Sequence, residues 1–157
     1  MICEFGVAGG KSINFLAKLL PHRILHGFDS FEGLPEDWGA MLPKGAFKQP
    51  VPKVAANVRL HKGWFADSLP LFLAENSGKA DFLFIDCDLY SSTRTVFEHF
   101  ADRIQPGTLI YFDEFFNYPG WQEGEFKAFN EFVVAHNIKY DYLGYNNRGT
   151  QLAVRIK

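Results

Sequence analysis

The chain reads as an open α/β sheet, mostly parallel, with an antiparallel hairpin at its C-terminal edge. Three observations predict this. Short apolar runs alternate with stretches of helical spacing from residue 2 to residue 136, as repeated β-α units require. Phe82-Leu83-Phe84-Ile85 and Thr108-Leu109-Ile110-Tyr111-Phe112 are nearly continuous apolar runs, the pattern of strands covered on both faces. The last two strand-like runs, residues 139–145 and 151–156, are joined only by Asn146-Asn147-Arg148-Gly149-Thr150, whose Asn and Gly suit a hairpin turn.

Each element follows from its residues. Ile2-Cys3-Glu4-Phe5 is the first strand, and Gly6-Val7-Ala8-Gly9-Gly10 the turn that leaves it. Residues 12–20 then carry Ile13, Leu16, Ala17 and Leu20 at helical spacing until Pro21 closes the helix. Residues 24–28 form the second strand, which ends at Asp29, and residues 30–52, rich in Pro and Gly, form a long loop with room for a short helix. Residues 58–61 alternate as a strand and Gly63 breaks it. Residues 68–75 follow as a short helix with Asp67 or Ser68 as N-cap. The strand of residues 82–85 stops at Asp86 and is followed by a helix over 92–104; the strand of residues 108–112 stops at Asp113-Glu114. Phe126, Phe129, Phe132 and Val133 predict an amphipathic helix over 123–136. With no internal repeat or linker, the expectation is a single domain over residues 1–157.

Composition removes several functional classes. A net charge of -2 with scattered Lys and Arg leaves no basic face to track phosphates, so nucleic acid is not the expected partner. The two cysteines, Cys3 and Cys87, lie in apolar runs, which argues against a disulfide framework and favours a reducing, cytoplasmic setting. No stretch reaches the roughly 20 apolar residues of a membrane span, and the N-terminus lacks the pattern of a secretory signal. The 17 Phe, 6 Tyr and 3 Trp can line a core or a pocket. Four histidines, His26, His61, His99 and His136, fall on strand or helix pieces and read as structural.

The chemistry is written at the strand ends, where open α/β sheets bind their ligands. These ends carry the Gly6–Gly10 turn, Asp29, Gly63-Trp64-Phe65-Ala66-Asp67, Asp86-Cys87-Asp88 and Asp113-Glu114: glycine or acid each time. Glycines let backbone approach a ligand, the helix start offers N–H groups to an anion such as a cofactor carboxylate, and Ser12 adds a hydroxyl. The spacing is not the G-x-G-x-x-G of a dinucleotide site, which disfavours a nicotinamide cofactor. An acid at the second strand end suits a ribose diol, because a carboxylate can accept from both hydroxyls, and Asp29 is in that place. Asp86, Asp113 and Glu114 would be neighbours if the strands of residues 82–85 and 108–112 pair, and clustered carboxylates repel unless a hard cation such as Mg2+ neutralises them. Asp88 lies either beside Asp86 or against the loop at Tyr90.

These residues resemble the class I S-adenosylmethionine-dependent methyltransferases, and more narrowly the macrocin O-methyltransferase family. The resemblance rests on Glu4-Phe5-Gly6 through Ser12, Gly27-Phe28-Asp29-Ser30-Phe31-Glu32-Gly33-Leu34-Pro35, the Lys62–Pro70 run, Ile85-Asp86-Cys87-Asp88-Leu89-Tyr90-Ser91-Ser92-Thr93, and Phe112-Asp113-Glu114. It implies a Rossmann-like methyltransferase fold of the seven-stranded type. It also implies cofactor contacts from Glu4, Gly6, Ser12, Asp29, Ser30, Gly63, Phe65, Ala66 and Asp86. Asp86, Asp113 and Glu114 would hold Mg2+, with Glu114 departing from the amide or Asp usual there. In that family the cation holds the acceptor oxygen for in-line attack on the methyl sulfonium, and Asp86 or Asp88 would accept the hydroxyl proton.

The function so implied is Mg2+-assisted O-methylation of a hydroxyl on a sugar or other small molecule. The resembled family also carries segments ahead of the first strand that cover the cofactor, whereas Met1 here directly precedes it. Two alternatives follow: a minimal or truncated module that binds cofactor without acceptor activity, and a homo-oligomer whose partner subunit supplies the cover. Remaining lid material is the loop of residues 31–53 and the aromatic segment Phe115–Trp121.

Overall fold

In the computed structural model, which describes residues 1–157, seven strands form one sheet. They are β1 (Ile2–Phe5), β2 (Leu25–Asp29), β3 (Val58–Lys62), β4 (Phe82–Ile85), β5 (Leu109–Phe112), β6 (Tyr140–Tyr145) and β7 (Leu152–Ile156). Their spatial order is β3-β2-β1-β4-β5-β7-β6. The first five pair in parallel, and β7 runs antiparallel to both β5 and β6. The chain therefore adopts the methyltransferase fold with its antiparallel C-terminal hairpin. Four α-helices accompany the sheet: α1 (Lys11–Leu19), α2 (Phe65–Glu75), α3 (Tyr90–Phe100) and α4 (Glu125–Ala135).

Strand order and register together place the strand-end residues. The chain moves outward from β1 to β3 and then returns to β1's other side as β4, so the turns leaving β1 and β4 meet at the switch point. Phe5 is level with Phe28 and Ile85, and Ile85 with Phe112. Gly6, Asp29, Asp86 and Asp113, each the next residue along, emerge in one row. Backbone bonds of 2.9 Å from Gly6 N–H to the Phe28 carbonyl, Asp86 N–H to Phe5 and Asp113 N–H to Ile85 hold that row.

Most of the phenylalanine lies in the larger of two cores. Phe5, Phe28, Leu83, Ile85, Ile110 and Phe112 on one sheet face meet Leu69 and Phe72 of α2, Val96, Phe97 and Phe100 of α3, and Phe129 and Phe132 of α4. Phe5 stacks on Phe28 at 5.3 Å and Phe97 on Phe132 at 4.7 Å, pairs worth about 0.5–1.5 kcal/mol each beyond area burial. On the opposite face a smaller core joins Ile2, Val7, Leu25 and Val58 to Ile13 and Ala17 of α1. His26 and His61 pair at 3.1 Å between Nδ1 and Nε2 and pack on Phe72; burial lowers both, His26 to about 4. Both cysteines are free and buried.

Helix boundaries depart from the sequence reading in physically traceable ways. α2 begins at Phe65, three residues ahead of residue 68, so neither Asp67 nor Ser68 is its N-cap. Trp64 holds that position in an extended conformation, and Ser68 Oγ donates back to its carbonyl at 3.0 Å. Pro70, a residue type at home in a first helical turn, here lies inside the helix. α3 starts at Tyr90 and passes at Phe100 into a single 3-10 turn, Ala101–Arg103. The loop after β2 forms no helix, only turns and a bridge between Trp38 and Leu42. No helix is long and apolar enough to cross a membrane.

Candidate active site

The first turn is built on a close backbone approach. Gly6 has φ of +95°, and a Cβ there would lie 1.7 Å from the Asp86 carbonyl oxygen. Only glycine lets the β1 and β4 turns touch in this way. Beneath the turn, buried Glu4 accepts a 2.7 Å hydrogen bond from Ser12 Oγ on Oε1, while its buried Oε2 has no partner. Burial pushes this carboxyl up to about 7, against the pull of the Ser12 hydroxyl. Ser12→Ala should therefore destabilise the protein by about 1–3 kcal/mol above pH 7, where the Glu4 carboxylate is charged and loses its side-chain donor. Below pH 6 the loss should shrink, because protonated Glu4 depends less on that donor; urea midpoints at pH 5.5 and 8.5 measure the difference.

Asp29 organises the same turn from the neighbouring strand. Its Oδ2 accepts from the Val7 and Ala8 N–H groups at 2.9 and 2.8 Å, and Oδ1 from Phe31 N–H at 2.7 Å. Three of a carboxylate's roughly four acceptor positions are thus occupied by backbone, leaving one for an incoming hydroxyl. Two-hydroxyl acceptance, as anticipated from sequence, would require one of these bonds to be given up. The next residue, Ser30, is buried, and its Oγ accepts from Glu32 N–H at 3.0 Å.

A cavity of about 530 Å³ opens over this row, inside the roughly 300–1,000 Å³ range of small-molecule sites. Gly6, Ala8, Asp29 and Ser30 line it from β1 and β2, Gly63, Phe65 and Ala66 from the start of α2, and Asp86, Asp88 and Glu114 from β4 and β5. Glu4 and Ser12 lie behind the turn and do not line it. Trp38 and Phe47 of the long loop complete the wall. Trp38 meets Tyr118 edge-on at 5.8 Å, which joins that loop to the aromatic segment after β5. Ala8, Phe47 and Asp88, all on this wall, have positive φ (44°, 67° and 62°), three of the six non-glycine residues with that conformation.

The acids differ from the expected set by one member. Carboxylate oxygens of Asp86, Asp88 and Glu114 lie within 4.8 Å of one another. Asp113 is not in this group: its Oδ1 accepts from Gln151 Nε2 of the hairpin at 3.2 Å, whereas the left-handed turn at Asp88 places that carboxyl with Asp86. Burial, then the charges of Asp113 and Asp88, push Asp86 up to about 8. Burial and Asp113 raise Asp88 to about 6; burial, then Glu125, raise Glu114 to about 11. Glu114 Oε2 is buried with no hydrogen-bond partner. Three converging oxygen donors, mutually repulsive and one of them orphaned, fit a hard divalent cation.

One buried acid was not singled out from sequence. Glu125, the first residue of α4, is 0% exposed; its Oε1 accepts from Cys87 N–H and its Oε2 from Glu114 N–H, both at 3.3 Å. Burial, then Asp86 and Asp88, raise its pKa. The signal was available: Glu125 precedes Ala128, Phe129 and Phe132 by three, four and seven residues, so it stands in the apolar stripe of an amphipathic helix.

Strand order, glycine turn and acid-lined cleft at the switch point define a methyltransferase-type α/β protein. The family model described as a methyltransferase domain matches residues 3–115, and the chain belongs to that family. It is 32% identical to the 8-demethyl-8-(2,3-dimethoxy-alpha-L-rhamnosyl)-tetracenomycin-C 4'-O-methyltransferase of Streptomyces olivaceus, across 73% of this chain and 52% of that protein. The chain thus spans about half the length of this curated relative. The crystal structure of CalS11, a calicheamicin methyltransferase, superposes with a TM-score of 0.80 at 25% identity over 98% of this chain and 71% of CalS11. MycE, a methyltransferase of the mycinamycin pathway solved with Mg and SAH, shares the fold with a TM-score of 0.61 at 15% identity, over 99% of this chain and 44% of MycE.

Proposed function

We propose that this chain is the core of an S-adenosylmethionine-dependent O-methyltransferase of the macrocin type, acting on a hydroxyl of a sugar or similar small molecule with Mg2+ as the assisting cation. The observation that carries this reading is the convergence of Asp86, Asp88 and Glu114 in the same cavity as the Gly6 turn and Asp29. Cofactor and cation sites then adjoin, as a transfer between them needs. Similarity to the tetracenomycin and calicheamicin methyltransferases supports the sugar-bearing acceptor class.

Within this reading Gly6 and Ala8 admit the cofactor against bare backbone, and Asp29 takes one ribose hydroxyl on its free acceptor position. Ser30, Gly63, Phe65 and Ala66 flank the nucleoside. Glu4, held by Ser12, braces the turn from behind. Asp86, Asp88 and Glu114 hold the cation, and Asp113 stays on Gln151. When bound, the cation supplies Lewis acidity that lowers the pKa of an acceptor hydroxyl. Asp88 lines the cavity, and a carboxylate has two oxygens, so it would take the hydroxyl proton on the oxygen that the cation leaves free.

Transfer of a labelled methyl group from S-adenosylmethionine to a panel of glycoside and sugar-nucleotide hydroxyls, with and without Mg2+, tests the proposal. Transfer that needs Mg2+ is the expected result. Binding of S-adenosylhomocysteine with no transfer to any acceptor would leave a cofactor-binding module in place of an enzyme.

A further inference from the structure

We propose that Glu125 is a positioning residue for the acid cluster: a single buried carboxylate ties together the two loops that carry Asp86, Asp88 and Glu114. This deepens the proposed function and rests on its reading of the cluster as a cation site. The Cys87 N–H that meets Oε1 lies between Asp86 and Asp88, and the Glu114 N–H that meets Oε2 belongs to the third acid itself. The acids repel one another, and the loops bearing them leave neighbouring strands, so without a tie the loops have a reason to part.

The residue type matches the task. A carboxylate accepts on both oxygens and offers no donor, whereas an amide would turn an NH2 group toward one of the two N–H donors. Glu125 is fully buried, so no bulk solvent stands in for either bond. Its backbone is fixed by α4, whose Ala128, Phe129 and Phe132 are buried on the same side. Gly124 just before it has no side chain, and a Cβ there would lie 2.4 Å from the Tyr118 hydroxyl, so the helix start is packed closely against the aromatic segment. The tie therefore has one fixed end and two loop ends.

Glu125→Gln tests this with two independent readouts. Amide hydrogen exchange at Cys87 and Glu114 reports the tie without any metal, and at least one of the two should exchange roughly tenfold faster or more. Calorimetric titration with Mn2+ as the probe should show affinity weakened by roughly 10- to 100-fold, the usual cost of losing a group that orients metal ligands. Affinity for S-adenosylhomocysteine should stay within about threefold, because the Gly6 turn is untouched. Wild-type exchange at both amides would overturn the proposal, and so would unchanged Mn2+ affinity in the variant. If the wild-type protein itself binds no Mn2+, the cation reading fails, and the exchange measurement alone decides whether Glu125 ties the loops. Should Glu125→Gln not fold, Glu125→Asp, one methylene too short to reach both loops, carries the same two measurements.

Discussion

Asp86→Asn is expected to lower methyl transfer by roughly a thousandfold and, in metal-free protein at pH 8, to raise the melting temperature by several degrees. The first effect follows from replacing an anionic ligand by a neutral amide oxygen, which holds and polarises the cation far less well; a thousandfold corresponds to about 4 kcal/mol of barrier, in the range a Lewis-acid cation contributes. The second follows from linkage. Asp86 is raised to about 8 by burial and by its acidic neighbours, so its folded-state pKa lies above its unfolded value near 4. Stability from this group is fully present below pH 4 and is lost as the pH rises through about 8. Asparagine cannot ionise and escapes that loss, so the variant and wild-type melting curves should coincide near pH 4 and separate toward pH 8. Saturating Mg2+ should reverse the order, because only the intact ligand set gains the full binding free energy. Thermal melts at pH 4, 6 and 8, with and without Mg2+, check each part. A variant less stable than wild type at pH 8 without metal would contradict the repulsive cluster.

Gly6→Ala should be the most damaging single-methyl change in the chain. At φ of +95° an alanine is strained, a cost of about 1–3 kcal/mol, and its Cβ would enter the Asp86 carbonyl at 1.7 Å. The obstacle is backbone, so no rotamer change relieves it. One of the two turns must move, adding about 1–3 kcal/mol of overpacking. Against a typical total stability of about 5–15 kcal/mol this is a large share. Urea denaturation should show a much lower midpoint, and the surviving folded protein should bind S-adenosylhomocysteine at least a hundredfold more weakly, since the displaced turn forms the cavity wall. Near-wild-type affinity in this variant would place the cofactor elsewhere.

The fold was legible in the sequence because each strand carries its own period and each helix its own stripe. Phe82-Leu83-Phe84-Ile85 announces a doubly covered strand, and Asn146 to Thr150 announces the hairpin. The parallel order was not written locally; it rests on pairings such as Phe5 with Ile85, between residues 80 positions apart. Residues that line the cleft were legible where the strand-end rule applied, at Gly6, Asp29 and Asp86. The exchange of Asp113 for Asp88 was not, because it depends on a left-handed backbone at Asp88 and on a Gln151 partner in a distant hairpin. Glu125 escaped for a different reason. A lone acid near a helix start reads as a favourable first-turn charge, and only the buried face of α4 shows that it points inward.

Calorimetric titration of the wild-type chain with S-adenosylhomocysteine tests the central claim most directly, namely that the cleft over the Gly6 turn is an adenosyl-cofactor site. One saturable binding event per chain is the result this account predicts, abolished or strongly weakened in folded Gly6→Ala. No saturable heat from the folded wild-type protein, or binding indifferent to Gly6→Ala, would contradict it.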